Sequence, residues 1–322
     1  MASSPAPQKR FPWLTVILLF ALVGLPLLAC LGGVGVGLTM LSGEAPSLAA
    51  PRGDAVAVIY AEGVIASGTE GATRAATGIT PSSIKADLRR AESNPSVKAV
   101  VLRINSPGGS VVASNEIFKL LKDFGKPVVV SMGETAASGG YYIACAAKWI
   151  VANPDTLTGS IGVISELTNV DELIKKVGVQ IVVIKTGPNK DIGSPFRPMT
   201  DDEKKIWQTV IDQAFDGFVQ VIVQGRGLPE DKVRQIGDGR VYNGKQAKEL
   251  GLVDQLGYLD DAVSKAGELG GITGKPRVIE YTHAPTLMEI LTGVTSRAPA
   301  LSLDQLLGLD AIPRIEYRYI GP

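Results

Sequence analysis

The sequence predicts an α/β domain with a mostly parallel sheet, preceded by one N-terminal transmembrane helix. Three observations predict it. From residue 55 onward, short β-branched runs alternate with segments of helical spacing. Glycine-rich turns join several of these runs. The first 43 residues carry charged side chains only at Lys9 and Arg10.

The N-terminus comes first. Residues 1–10 are a basic leader, and 11–42 form an apolar run with no charge before Glu44. About 20 apolar residues span a bilayer, and this run is longer. The basic flank is expected to stay in the cytoplasm, which puts the chain beyond Glu44 on the extracytoplasmic side of a bacterial cell membrane. A cleaved signal peptide is the rival, with "SLAA" near Ala50 as its cleavage site. The apolar core of such a peptide is roughly 7–15 residues, which favours an uncleaved anchor. "LLAC" suggests a lipid-modified cysteine, but the apolar run continues past Cys30. Residues 43–53 read as a linker, 54–274 as the soluble domain and 275–322 as an extension packing on the domain or on a neighbouring subunit.

Within the domain, strand-like runs fall at 55–65, 97–104, 126–132, 148–153 and 179–185. Helical spacing falls at 81–94, 110–125, 164–178, 200–226, 228–236 and 243–269. A further helix is expected from about Ala136 to Ala147.

Composition narrows the chemistry. Lys+Arg and Asp+Glu are both 32, so nothing draws the chain to nucleic acid. Two cysteines, one in the apolar run, make no disulfide framework. One histidine, His283, removes most metal sites. No cofactor motif stands out.

"RINSPGGSV" (103–111) is a strand-to-helix turn whose glycines allow backbone N–H groups to point outward at an oxyanion. An ordinary βα turn with a serine helix cap reads as well. In "GETAASGGYY" (133–142), Ser138 follows a strand and opens a helix. Small neighbours let a peptide backbone approach its hydroxyl, and the Gly139 N–H beside it is a second oxyanion donor. Tight packing around a small serine is the competing reading.

A serine nucleophile needs a base. His283 lies in the irregular extension, so a Ser-His-Asp triad is the weaker choice, and Ser-Lys is the recognised variant. A lysine base must be neutral. Bringing its free pKa of about 10.4 to near 7–8 costs roughly 3 units, about 4 kcal/mol of desolvation. Lys190, in the Gly/Pro-rich stretch "IKTGPNKDIGSPFRPMT" (184–200), fits best and Lys185 is next. Lys148, Lys204 and Lys205 read as ordinary solvated charges, and so could Lys190. Ser160, in "TGSIGVI" (158–164), could hold a neutral lysine toward Ser138, or serve only as a turn residue.

Together, "NSPGG", "AASGGYY", "TGSIGV" and "KDIGSPFRPMT" resemble the signal peptide peptidase A family of membrane-anchored Ser/Lys proteases. The resemblance covers roughly residues 53–270. It implies the Clp protease/crotonase fold, with Ser138 as nucleophile, Lys190 as general base and Ser160 as the serine supporting the lysine. It places the oxyanion hole at the Pro107–Gly109 turn (Gly108 and Gly109) and at Gly139. The implied partners are peptide substrates, including spent signal peptides. Longer family members carry two tandem copies whose serine and lysine belong to different copies. A one-copy chain therefore implies a homo-oligomeric ring with the dyad shared between subunits.

Three rivals remain. Ser82-Ser83-Ile84-Lys85 and Lys185-Thr186-Gly187 match two marks of penicillin-binding enzymes, but the third, S-D-N or S-x-N, is missing. A crotonase-type acyl-CoA enzyme would share the fold in the wrong compartment. A non-enzymatic membrane scaffold would need none of these residues.

Overall fold

The computed structural model describes residues 53–68, 78–281 and 315–319. The apolar run at 11–42, Cys30 and His283 lie outside the described residues, as does most of the extension.

Strand β1 (Ala55–Glu62) is buried on both faces, as its near-continuous apolar sequence requires in a parallel sheet. Helix α1 (Pro81–Ser93) starts at Thr80, whose Oγ1 accepts the Ser83 N–H at 3.1 Å, with proline at the first helical position. It turns Ile84, Leu88 and Ala91 inward. Strand β2 (Val97–Ser106) pairs parallel with β1, Val58 opposite Val101. A three-residue strand, β3 (Gly108–Ser110), then leads into α2 (Val111–Lys122), capped by Ser110 Oγ.

Strand β4 (Val128–Ala137) lies parallel to β2 and forks. Its first half pairs with β5 (Trp149–Ala152), and its last three residues pair with β6 (Leu157–Gly159), both parallel. The fork lies at Gly133, where a Cβ would stand 3.0 Å from the Ile104 carbonyl oxygen. Between β4 and β5 runs the short helix α3 (Gly139–Ala144). The chain continues through α4 (Asp171–Lys176), the long α5 (Asp201–Arg226) and α6 (Glu230–Ile236). Strand β7 (Val241–Tyr242), α7 (Gly244–Leu250), β8 (Gln255–Leu256), α8 (Leu259–Leu269) and β9 (Arg277–Tyr281) come next. The last described strand is β10 (Glu316–Arg318).

Among the described residues the main sheet runs β7-β6-β4-β2-β1-β9, with β5 and β8 branching from β4. Every pairing in it is parallel except β6–β7. Alternate residues feed two cores. Ala57, Ile59, Val100, Leu102 and Val130 pack on the side of α1, α2 and α3. Val56, Val58, Ala99, Val101 and Val129 pack beneath Ala262, Val263 and Ala266 of α8. The predicted α/β class with a mostly parallel sheet is what forms.

Three local expectations differ. The helix expected over 164–178 forms only as the six-residue α4, Asp171–Lys176. The helix near Ser138 begins at Gly139 because β4 stays extended through Ala137, held by β6. The run at 179–185 forms no strand. Its side chains are exposed, Val182 at 83% and Ile184 at 96%. Nothing among the described residues covers it.

Candidate active site

Ser138 sits between β4 and α3 with φ 54° and ψ −116°. A positive φ in a residue bearing a Cβ is strained, and a strand–turn–helix junction is where such strain presents a nucleophile. The contacts around it fix that backbone. The Ser138 N–H donates to the Gly159 carbonyl at 2.8 Å, and its own carbonyl accepts the Tyr142 N–H at 2.8 Å. Two buried threonines brace β4 from the side. Thr158 Oγ1 donates to the Ala136 carbonyl at 2.7 Å, and Thr156 Oγ1 donates to the Gly133 carbonyl at 2.6 Å. The Ser138 side chain makes no cap bond, so its hydroxyl is not spent on the helix start.

The β4–β6 pairing brings Ser160 next to this junction. Ser160 is also buried with positive φ (47°), and its N–H donates to the Arg240 carbonyl at 2.8 Å.

The glycines converge from the other side. A Cβ on Gly108 would lie 2.6 Å from the Gly139 nitrogen, and one on Gly139 would lie 2.7 Å from Ser114 Oγ and 3.2 Å from Gly108 Cα. Neither position has room for a side chain. The Gly108 N–H donates to Ser106 Oγ at 3.1 Å, so that donor is already used. Gly139 opens α3, where the N–H has no acceptor within the helix. Gly109 faces Tyr317 across an antiparallel ladder.

That ladder goes beyond the sequence expectations. Strand β10, from the far end of the chain, lies along β3, with Glu316 opposite Ser110 and Arg318 opposite Gly108. The Tyr319 N–H donates to the Pro107 carbonyl at 2.8 Å, and Glu316 exchanges two backbone bonds of 3.0 Å with Ile164. The Tyr317 carbonyl oxygen stands 2.0 Å from where a Gly108 Cβ would be and 3.1 Å from where a Gly139 Cβ would be. A peptide carbonyl is thus seated beside both glycines. The Tyr317 ring stacks on Tyr142 at 5.0 Å and tilts against Phe218 at 4.7 Å, and its hydroxyl donates to the Ala214 carbonyl at 2.7 Å. The signal was present in "IEYRYI", whose charged and aromatic residues alternate with period two.

Cys145 offers no alternative nucleophile. It is fully buried, and burial pushes its thiol up to about 12. Among the described residues no group of three or more His, Cys, Asp or Glu is arranged to hold a metal.

The family model described as peptidase family S49 matches residues 121–273, and that described as Clp protease matches residues 52–154. A protein of Synechocystis provisionally named a protease is 43% identical over 63% of this chain and 75% of its own. The chain belongs to peptidase family S49. Protease 4 of Salmonella typhi is 39% identical over 75% of this chain but only 39% of its own length. An Enterococcus faecium protein provisionally named signal peptide peptidase is 40% identical over 62% of this chain and 58% of its own. Membership makes the chain a serine peptidase, and the Clp match fits its mostly parallel core.

Ser138, Ser160, Gly108, Gly109 and Gly139 therefore meet at the ends of β3, β4 and β6. Lys190 does not join them within one chain. It is exposed on a turn where its N–H donates to the Gly187 carbonyl at 3.3 Å, and its side chain has no partner among the described residues. Its neighbour Asp191 is fully engaged, by Arg197 and by Lys185. These two cations, Arg197 first, hold the Asp191 carboxyl well below the usual carboxylate range.

Proposed function

We propose that the chain is a membrane-bound serine endopeptidase working through a Ser138/Lys190 dyad. Its substrates are short, unfolded, apolar peptides, remnant signal peptides among them. Ser138 Oγ attacks the scissile carbonyl and its proton passes to neutral Lys190, which then protonates the leaving amine. Water hydrolyses the acyl-enzyme by the same route in reverse. Ser160 orients the lysine. The developing oxyanion is held by the N–H groups of Gly139 and Gly109, within the turn that Gly108 closes.

The observation that carries this reading is Ser138 at positive φ on a strand–helix junction, beside a glycine pair already facing a peptide carbonyl. The edge of β3 takes an extended chain by antiparallel pairing, which is how an unfolded peptide would be read. Exposed Lys190 and the uncovered apolar run before it suit a ring in which each lysine serves a neighbour's serine. Residues 11–42 would anchor the ring on the extracytoplasmic side of a bacterial cell membrane. No helix among the described residues is long and apolar enough to cross one.

The test is intact-mass detection of a serine-reactive phosphonate on the purified full chain. One adduct is expected, lost in Ser138→Ala and strongly slowed in Lys190→Ala. An adduct that persists in Ser138→Ala removes the assignment.

A further inference from the structure

Lys190 is followed directly by a carboxylate, and a lysine paired with a carboxylate is a poor base. The fold deals with Asp191 elsewhere. Arg197 Nε donates to Asp191 Oδ2 at 2.9 Å and Arg197 Nη2 to Oδ1 at 2.6 Å, a two-pronged pairing. Lys185 Nζ donates to the same Oδ1 at 2.6 Å. The other side of the guanidinium holds Glu203. Nη1 donates to Oε2 at 2.8 Å and Nη2 to Oε1 at 2.5 Å. Glu203 is buried and closes the capping box of α5 with Thr200. One guanidinium thus ties the residue after Lys190 to the start of a 26-residue helix.

The backbone of this clasp is held as well. Asn169 Nδ2 donates to the Arg197 carbonyl at 2.7 Å, and the Val170 N–H donates to the Pro195 carbonyl at 2.7 Å. The surrounding charges are accounted for. Asp201 and Asp202 pair with Lys204 and Lys205, and Asp171 and Glu172 pair with Lys175. Asp191 and Glu203 against Arg197 and Lys185 balance without Lys190.

We infer that Arg197 is a positioning residue for the reaction: by holding Asp191 against the start of α5, it fixes the Lys190 turn and keeps the adjacent carboxylate off the Lys190 amine. The inference rests on the Ser/Lys reading above. An Arg197→Met chain leaves Asp191 with Lys185 alone, free to favour the ammonium form of Lys190. An Asp191→Asn chain leaves two cations near Lys190 and favours its neutral form.

The experiment measures kcat/KM for a fluorogenic apolar peptide from pH 6 to 10, using the full detergent-solubilised chain. In Arg197→Met the acid limb of the profile moves to higher pH by about one unit, so activity below the limb falls about tenfold and recovers in alkali. In Asp191→Asn the limb moves to lower pH, and the double variant falls between the two. Arg197→Lys keeps the charge but loses the two-pronged grip, and restores part of the limb position. Equal loss at every pH in Arg197→Met would make the clasp merely structural and overturn the inference. If Arg197→Met does not fold, Asp191→Asn decides alone, because the Arg197–Glu203 pairing survives in it; an unmoved limb there also overturns the inference. Failure of the underlying reading looks different: Lys190→Ala would then keep its activity.

Discussion

At the scale of single residues, the proposed site turns on a peptide N–H and a missing Cβ. Gly108 and Gly139 approach so closely that a methyl group on Gly108 would displace the Tyr317 carbonyl and the Gly139 nitrogen, and one on Gly139 would displace the Ser114 hydroxyl. Gly108→Ala also places a Cβ at φ 98°. Its kcat is expected to fall by up to roughly 10²–10³-fold, the cost of one oxyanion donor, because the added methyl displaces the Gly139 nitrogen that the reading makes such a donor. A melting curve run in parallel separates this from unfolding, and an unchanged kcat in folded protein would mean that the oxyanion sits elsewhere. By contrast, a thiol reagent should leave native Cys145 unlabelled while the unfolded chain reacts, because burial holds the thiol protonated near neutral pH. The grouping of Ser138 with Gly108, Gly109 and Gly139 was legible in the sequence through the motifs that resemble the family, since small residues alone around a serine at a strand end read equally as tight packing. Positive φ at Ser138 and Ser160 was not, since it arises from hydrogen bonds to Gly159 and Arg240, which are distant in sequence or reached only through the β4–β6 pairing. Thr158, which braces Ala136, was invisible for the same reason.

Elements compete for the same edge. Strand β10 occupies the edge of β3, and on the proposed reading, in which an extended substrate pairs at that edge, the tail and the substrate exclude one another. Deleting residues 315–322 should lower KM for a short peptide, while melting temperature falls because the buried Tyr317 ring is lost. Removal of a large buried aromatic side chain costs about 3–5 kcal/mol. A KM that stays or rises would show that peptides bind elsewhere. The α5 start has its own signature in acid. Arg197 first, then the Thr200 N–H, draws the Glu203 carboxyl down to about 2. Its contribution is present above the unfolded value of about 4.3 and is lost as pH falls toward 2. Glu203→Gln should flatten that part of the stability curve, read by helix content during acid titration. Of the elements themselves, most were legible: long apolar runs became β1, β2 and β4, and α5 kept its expected length because Thr200 and Gly227 mark its ends. The run 179–185 misled for a physical reason. Its composition asks for burial, and the described residues of one chain do not supply a partner. The pairing of β10 with β3 escaped because over 200 residues separate the strands, and no local pattern names a partner that far away.

Such an unmet demand for burial belongs to the whole molecule. Val177, Val179, Ile181, Val182, Val183 and Ile184 form a row of exposed apolar side chains leading directly to the turn that carries Lys190. Ser138, meanwhile, is buried with its glycines and makes no hydrogen bond to that turn in its own chain. A second copy laid against the first would cover the apolar row and bring a lysine toward a serine in one step. Each added contact would repeat around a closed ring. Burial of apolar surface contributes about 25 cal/mol per Å², so a row of six such side chains is a sizeable driving force for association. The prediction is complementation. Ser138→Ala chains and Lys190→Ala chains should each be inactive as homo-oligomers. After co-dissociation and reassembly, the mixture should recover part of the wild-type rate, because some sites then pair an intact serine from one chain with an intact lysine from its neighbour. For random mixing in equal amounts, one site in four is complete, so about a quarter of the wild-type rate is expected. Size-exclusion chromatography confirms assembly, and fluorescence transfer between differently labelled variants confirms mixing. A mixed assembly that stays inactive places both residues in one chain, and the Lys190 turn must then reach Ser138 by folding back within it.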